Sequence, residues 1–318
     1  MNAGAAGTLA PMTSLHPLPA GITVFERGWL SANNILLQGA AGSALVDSGY
    51  CTHAPQTLAL VAHALQGRPL DHLLNTHLHS DHCGGNAALQ AAYPALTTHI
   101  PPGQAAHVAD WDPVALSYAP TGQQCPAFHF ETVLKPGLAL RLGDHDWQVH
   151  AAPGHDPHSV VLFEPASRTL LSADALWEVG FGVVFPELEG ISAMDEVAAT
   201  LDLIESLRPI TVVPGHGRVF VDVARSLGLA RKRLEGFVAD PKKHATHAAK
   251  VLVKFKLLEL QRVSDNALLA WVSETPYLRT LRQRFFDDMP PAPWLHTLLL
   301  DLVRVGAARR EGGWVVDV

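Results

Sequence analysis

The sequence predicts a mixed α/β fold (α+β), with two β-sheets faced by helices and a smaller helical domain after residue 225. Three observations support this prediction. Short β-like runs alternate with helix-like runs, clusters of His and Asp follow several of the β-like runs, and the sign of the net charge changes near residue 225. At 318 residues the chain is long enough for a large core and a second, smaller domain.

The predicted elements follow in chain order. β-like runs at residues 22–26, 34–38 and 44–47 come first, and then a helix at residues 57–65 and a buried strand at residues 70–76. Further apolar runs end near residues 149, 174 and 213. Ser192 fits the first position of a capping box. The helix after it would place one apolar stripe on the sheets: Met194, Val197, Ala198, Leu201 and Ile204.

Residues 101–130 interrupt this alternation with several Pro and Gly residues. We interpret the segment as an excursion over the functional site. Its aromatic side chains, Trp111, Tyr118 and Phe128, would either contact substrate or pack together in a satellite cluster, and the sequence favours neither alternative.

Four potential metal ligands lie within six residues: His77, His79, Asp81 and His82. A chain with 18 His can produce a His-rich solvated loop by chance. The flanks argue against that alternative, because a buried strand precedes the cluster and a helix-like run at residues 87–92 follows it. Neutral imidazole and carboxylate are ligands that zinc, manganese and iron accept. The cluster therefore predicts a metal site on a strand-to-helix turn.

Three later segments end in the same kind of ligand. His155 and His216 each follow a strand-like run and a Pro-Gly turn, and Asp174 ends an apolar run. A single His after a turn is more often a solvated loop residue than a ligand. Four such events at strand ends are typical of a site built on one edge of a sheet.

With these motifs the chain resembles the metallo-β-lactamase superfamily over roughly residues 20–225. The signature is the His-x-His-x-Asp-His run together with the downstream His, Asp and His. The resemblance implies an αββα sandwich and two divalent metal ions, zinc first, with manganese or iron as alternatives. It implies that His77, His79 and His155 hold one ion. Asp81, His82 and His216 would hold the other, Asp174 would bridge the two, and Asp47 would support a ligand without binding metal.

This ligand set favours hydrolysis, because bound metal makes hydroxide available near neutral pH. No Gly-x-Ser-x-Gly elbow, Walker A loop or His-Glu-x-x-His helix is present in the sequence. Asp81 would bind metal, orient the hydroxide or carry a proton to the leaving group. His158 would donate to a developing oxyanion or, alternatively, cap a turn.

Two neighbours of the ligands have open roles. Cys83 directly follows His82 and is expected to be a small buried residue, with a thiol beside the metal as the alternative. Trp177 stands where some lactonase relatives have a Tyr, which argues against a close lactonase assignment.

The last part of the chain differs in charge. Residues 225–318 contain 16 Lys or Arg and 10 Asp or Glu, whereas the rest contains 7 and 20. Helices followed by a Gly-tipped ribbon near Gly312 resemble a winged-helix module. Such a basic module could meet a phosphate backbone. The alternative, which we favour, is a helical cap that packs on residues 21–225 and shapes the pocket.

Three functions remain open. The favoured one is hydrolysis of a small-molecule thioester, ester or lactone, as in glyoxalase II-like relatives; Asp174 supports it, since true metallo-β-lactamases generally have another residue there. The second is an endoribonuclease-like phosphodiesterase that grips nucleic acid with the basic tail, and the missing β-CASP insertion weakens it. The third is a metal-bound sensor.

The composition bears on the cellular location of the protein. No apolar stretch is long enough to span a bilayer, and residues 1–20 lack the features of a signal peptide and are expected to be a flexible leader. Three Cys without a spaced framework suggest reduced surroundings. We therefore expect a cytoplasmic protein without a membrane partner; the sequence makes no prediction of its oligomeric state.

Overall fold

The computed structural model describes residues 18–318. The predicted leader at residues 1–20 therefore lies almost entirely outside the described residues. None of the helices in residues 18–318 is both long and apolar enough to cross a membrane.

The first sheet contains six strands in the spatial order β1-β2-β3-β4-β5-β6. Strands β1 to β3 form an antiparallel meander, and β3 to β6 are parallel. The strands are β1 (Ile22–Phe25), β2 (Asn34–Gly39), β3 (Gly42–Val46), β4 (His72–Leu74), β5 (Thr97–Ile100) and β6 (Thr132–Val133).

The second sheet contains five strands in the order β11-β10-β9-β8-β7. Only the β10–β11 pair is parallel. The strands are β7 (Ala139–Leu142), β8 (His145–Ala151), β9 (Val160–Glu164), β10 (Thr169–Ala173) and β11 (Thr211–Pro214).

Helices cover the outer face of each sheet. The helices up to residue 207 are α1 (Ala54–Leu65), α2 (Ser80–Cys83), α3 (Asn86–Ala92), α4 (Ala105–Ala109), α5 (Tyr118–Thr121), α6 (Phe185–Glu189) and α7 (Met194–Leu207). The inner faces of the sheets share one core, in which Val46 and Leu74 of the first sheet meet Trp147 and Leu162 of the second. Because α1 packs on the first sheet and α7 on the second, the predicted αββα sandwich is confirmed.

The C-terminal part contains five helices and three short strands. They are α8 (Val223–Ala239), α9 (Pro241–Leu260), β12 (Arg262–Ser264), α10 (Asp265–Glu274), α11 (Pro276–Phe285), α12 (Pro291–Arg304), β13 (Ala308–Glu311) and β14 (Trp314–Asp317). The strands form a sheet in the order β12-β14-β13. Helices α9 to α12 share a core that also includes Val183 and Leu188, whereas α8 packs in the core of the second sheet. The predicted boundary at residue 225 therefore falls inside α8.

The structure decides between two alternatives for the aromatic excursion. Trp111, Tyr118 and Phe128 pack with Leu78 and Ile100 in a satellite cluster. The predicted substrate contacts are therefore not made by these aromatic rings, because they are turned into the protein.

The predicted capping box at Ser192 is wrong. Helix α7 has Ala193 at its N-cap position without a side-chain cap. The carboxylate of Glu187, which lies in α6, accepts hydrogen bonds from the backbone N–H groups of Ala193 (2.8 Å) and Met194 (3.3 Å). A residue from the preceding helix thus satisfies the free donors that a local cap would otherwise satisfy.

Candidate metal centre

The predicted ligands lie at strand ends on one edge of the sandwich. His77 and His79 follow β4, and the short helix α2 carries Asp81 and His82. His155 follows β8, and Asp174 comes directly after β10. His216 follows β11, the strand that pairs with β10. All seven predicted ligands are therefore brought to one place by strands that are distant in sequence.

Three imidazole rings converge on a first point. The Nε2 atom of His155 lies 2.8 Å from Nδ1 of His79 and 3.3 Å from Nε2 of His77. A ring nitrogen can share one proton with one neighbour, so three nitrogens directed at one point fit a cation better than a hydrogen-bond network. Nδ1 of His155 donates to the carbonyl of Val183 at 2.5 Å, which leaves Nε2 as the lone-pair atom.

A second group forms beside the first. Nε2 of His216 lies 3.1 Å from a carboxylate oxygen of Asp81, and Nε2 of His82 lies 4.0 Å from the same oxygen. The His82 Nε2 atom is buried and has no hydrogen-bond partner among residues 18–318. A buried orphan nitrogen is costly, and a metal ion at this point would engage it.

Asp174 lies between the two groups. Its Oδ1 is 3.5 Å from Nε2 of His82, and its Oδ2 is 3.4 Å from Nε2 of His155. Gly215 makes this approach possible, because a Cβ at that position would lie 2.3 Å from Oδ1 of Asp174. One carboxylate therefore faces both candidate metal positions, as a bridging ligand must.

Electrostatics at the site suit bound cations. Burial, followed by the neighbouring His82 ring, holds the pKa of His77 well below its ordinary value, and burial lowers the pKa of His155 to about 4. Both rings are therefore neutral and can act as ligands at pH 7. Burial alone would lower the pKa of His82, but the carboxylates of Asp47 and Asp174 raise it well above its ordinary value. The carboxylates thus favour positive charge at this point, which metal ions would supply.

Asp47 holds the cluster in place from behind. Its Oδ2 lies 2.8 Å from Nδ1 of His82 and accepts from Oγ1 of Thr76 at 2.8 Å, while its Oδ1 accepts from the Thr76 amide at 2.9 Å. A His that binds metal through Nε2 is commonly oriented by a carboxylate at Nδ1. The position of Asp47 matches the supporting role that the resemblance implied.

The remaining predicted site residues lie around the ligands. His158 lines the cavity, as the ligand Asp81 also does, and the His158 ring packs against Gly103. Cys83 is fully buried, and its Sγ lies 3.2 Å from the hydroxyl of Tyr118, which is the buried position expected of it. Trp177 donates from Nε1 to Oδ1 of Asp174 at 3.2 Å.

Two residues at the site were missed by the sequence reasoning. The ring of Trp29 stacks on His216 with a centroid distance of 5.3 Å and an interplanar angle of 7°. Asn33 donates from Nδ2 to the carbonyls of Pro214 and Gly217 and so fixes the turn that carries His216. An isolated Trp and an Asn between β1 and β2 have no motif spacing that could have identified them.

A cavity of about 480 Å³ opens above the ligands. Its walls come from both parts of the chain, since Phe185 of α6 meets Tyr277 of α11 with ring centroids 5.6 Å apart. Phe185 also packs on the His79 and His155 rings. The C-terminal helices therefore contribute to the wall beside the candidate metal positions.

Comparison with known protein families gives a match to the metallo-beta-lactamase superfamily over residues 27–216. That segment contains all seven predicted ligands. The chain is also similar to curated enzymes. It is 33% identical over 135 residues to a hydroxyacylglutathione hydrolase of Rhodopseudomonas palustris, covering 42% of this chain and 44% of the relative. It is 25% identical over 207 residues to one of Mesorhizobium japonicum, covering 65% and 68%.

A third relative matches over a smaller share of its own length. An atrochrysone carboxyl ACP thioesterase of Aspergillus fumigatus is 26% identical over 187 residues, which is 58% of this chain and 37% of the relative. The chain thus spans from about a third to two thirds of the length of these three relatives.

Solved structures share the fold. A metallo-beta-lactamase family protein from Thermus thermophilus matches 95% of this chain and 99% of its own, with 21% identity and a TM-score of 0.52. A protein solved in a di-iron-bound form matches 65% of this chain and 96% of its own, with 27% identity and a TM-score of 0.51.

Proposed function

This chain belongs to the metallo-β-lactamase superfamily, and from that premise we propose that it hydrolyses a small-molecule thioester, ester or lactone with water activated by two divalent metal ions. The position of Asp174 between two groups of ligand atoms is the observation that carries the proposal. Zinc is the proposed ion; manganese and iron accept the same N and O ligands.

The proposed ligand sets follow the groups described above. His77, His79 and His155 would hold one ion, Asp81, His82 and His216 the other, and Asp174 both. Bound ions of this kind would lower the pKa of a coordinated water toward about 7 and would polarise the carbonyl under attack.

The protein's own groups would orient the reaction. Asp81 lies 3.1 Å from His216 and lines the cavity, so its carboxylate can orient the attacking water and carry a proton to the leaving group. His158 lines the same cavity and would donate to the oxygen or sulfur that leaves. Trp177 would restrain the Asp174 carboxylate through its N–H group.

Thioester hydrolysis is supported by the names of the relatives, which denote hydrolysis of acylglutathione and an ACP thioesterase. A phosphodiesterase is less well supported. Several cations of the basic tail pair with carboxylates of the same domain, including Lys254 with Asp317 at 2.6 Å and Lys250 with Asp301 at 3.1 Å. These lysines are therefore already engaged and contribute little to a phosphate grip.

The domain organisation and setting are part of the proposal. The predicted division into residues 21–225 and 226–318 is moved to the end of α8, because α8 packs in the core of the second sheet. We assign catalysis to residues 21–239 and propose that residues 240–318 form a winged-helix-like cap. The β12-β14-β13 sheet next to α12 supports that description. Three free thiols support a reduced, cytoplasmic setting.

Metal analysis tests the proposal. Purified protein reconstituted with zinc or manganese should bind close to two equivalents and hydrolyse at least one member of a thioester, ester and lactone panel. His79→Ala and Asp174→Ala should lower occupancy and abolish turnover. His129→Ala, an exposed His paired with Glu131, is the matched control and should change neither. A protein that stays metal-free after reconstitution would contradict the proposal.

A further inference from the structure

The cavity wall carries acidic side chains and no permanently cationic ones. Its lining residues, all in the described part of the chain, include no Lys and no Arg. Five carboxylates line it: Asp81, Asp156, Asp174, Glu189 and Glu196. Asp81 and Asp174 belong to the proposed ligands, and Asp156 lies 3.9 Å from His79. Any positive charge of bound metal is therefore confined to the floor, where these carboxylates already face it.

Glu189 and Glu196 differ from the other three carboxylates, because both are exposed and no salt bridge to either is found within residues 18–318. Partial burial raises the pKa of Glu189. Two basic side chains that do not line the cavity are engaged with other groups: Arg284 donates to the carbonyl of Leu188, and Lys256 pairs with Glu259. A negative group held at the wall, away from the proposed metal positions on the floor, would thus meet two carboxylates and neither Lys nor Arg.

Apolar side chains surround the same opening. Trp29, Val114, Ile191 and Val251 all line the cavity and are 55%, 63%, 61% and 37% exposed. Large apolar side chains that stay exposed around one concave site mark a surface that is covered when a ligand binds. The cavity is of the size that takes an ordinary small molecule.

We propose that the substrate of the hydrolytic site is an uncharged ester or thioester with an apolar acyl chain, held between Ile191 and Val251, and that Glu189 and Glu196 exclude anionic leaving groups. This inference rests on the proposed function. It departs from the names of the two hydroxyacylglutathione hydrolases, because glutathione carries two carboxylates. An anion moved into a partly desolvated cavity without a cationic partner loses hydration that nothing replaces.

Two substrates with the same acyl group separate the alternatives. S-octanoyl-N-acetylcysteamine has an uncharged leaving group, whereas S-octanoylglutathione has two carboxylates and one ammonium group. With zinc-reconstituted protein we expect kcat/KM to be at least about 10-fold higher for the uncharged thioester. Equal or higher kcat/KM for the glutathione thioester would overturn the inference and leave the proposed hydrolase function intact.

Binding is measured independently of turnover. The thioethers S-octyl-N-acetylcysteamine and S-octylglutathione cannot be hydrolysed, and calorimetry should show tighter binding of the uncharged one. If metal-loaded protein hydrolyses no substrate at all, the proposed function fails, yet this measurement still decides which ligand the cavity prefers. Tighter binding of S-octylglutathione would contradict the charge argument.

Two variants with matched controls test whether the cavity wall determines the substrate preference. Glu189→Lys should raise kcat/KM for S-octanoylglutathione by about 10-fold and change that of the uncharged thioester by less than about 3-fold. Glu274→Lys makes the same charge change on an exposed site outside the cavity and should leave both unchanged. Ile191→Asp should lower kcat/KM for the octanoyl thioester at least about 10-fold but spare the acetyl thioester, whereas Val238→Asp, exposed on α8, should spare both. Equal effects of Glu189→Lys and Glu274→Lys would refute the proposed role of the cavity wall.

Discussion

Replacing Asp47 by Asn tests whether the carboxylate behind His82 controls metal affinity. Asp47 is 1% exposed, and its two oxygens face three donors at 2.8–2.9 Å: the Nδ1 of His82 and the amide and hydroxyl of Thr76. Asn keeps one oxygen but turns an NH2 group toward at least one donor. The variant therefore loses the negative charge that orients the ring and leaves a buried donor unsatisfied.

The expected size follows from these contacts. Removing a group that orients a metal-bound His costs about 10- to 100-fold in metal affinity, which is about 1.4–2.7 kcal/mol. The unsatisfied donor costs the metal-free protein about 1–3 kcal/mol of unfolding free energy. Both losses should appear in Asp47→Asn, because the same carboxylate serves the fold and the ligand.

Competition against a chromophoric zinc chelator measures the first loss, and urea unfolding in EDTA measures the second. Asp71→Asn is the matched control, since Asp71 accepts from the amide of Ser43 at 2.8 Å and contacts no proposed ligand. It should lower stability and leave the zinc Kd within about 3-fold of the parent protein. If Asp47→Asn loses stability and binds zinc as the parent does, Asp47 is only a structural residue and the reasoning is refuted.

Two further predictions concern the site and the pH dependence of stability. Gly182→Ala should weaken zinc binding at least about 10-fold in the same competition assay, because the new Cβ would lie 2.4 Å from Nδ1 of His155. Gly228→Ala, in open space on α8, should instead stabilise by about 0.5–1 kcal/mol and leave zinc binding unchanged; similar zinc affinities for the two variants would contradict the steric argument. Burial lowers the pKa of His244 to about 4, so the folded state binds fewer protons there and loses stability as pH falls from about 6.5 toward 4. In His244→Gln the amide oxygen can still accept the hydrogen bond from the Val184 amide. Between pH 7.5 and 5, the unfolding free energy of the metal-free variant should therefore fall by about 2 kcal/mol less than that of the metal-free parent protein, as measured by urea unfolding. The same pH dependence of stability in both proteins would disprove this role of His244.

Much of the fold and the candidate ligand set were predictable from local pattern. The strands at β2, β3 and β10 lie within one or two residues of their predicted bounds, because period-2 and continuous apolar runs are local signals. The candidate ligands could be recognised because each follows a strand end or a Pro-Gly turn. The N-terminal cap of α7 could not be predicted in this way, because the acceptor, Glu187, belongs to the preceding helix.

Amino-acid order alone thus determined the sandwich, the seven candidate ligands and the change of charge near residue 225, since each is written in a short stretch of chain. Only the tertiary structure decided which side chains meet at the candidate site and in the cavity wall. The distances that place Asp174 between two groups of ligand atoms, the stacking of Trp29 on His216 and the entry of Val251 into the cavity wall join residues up to about two hundred positions apart. Such contacts depend on how the sheets and the C-terminal helices pack against each other. The periodicity of a short segment carries no information about contacts between residues so far apart in sequence.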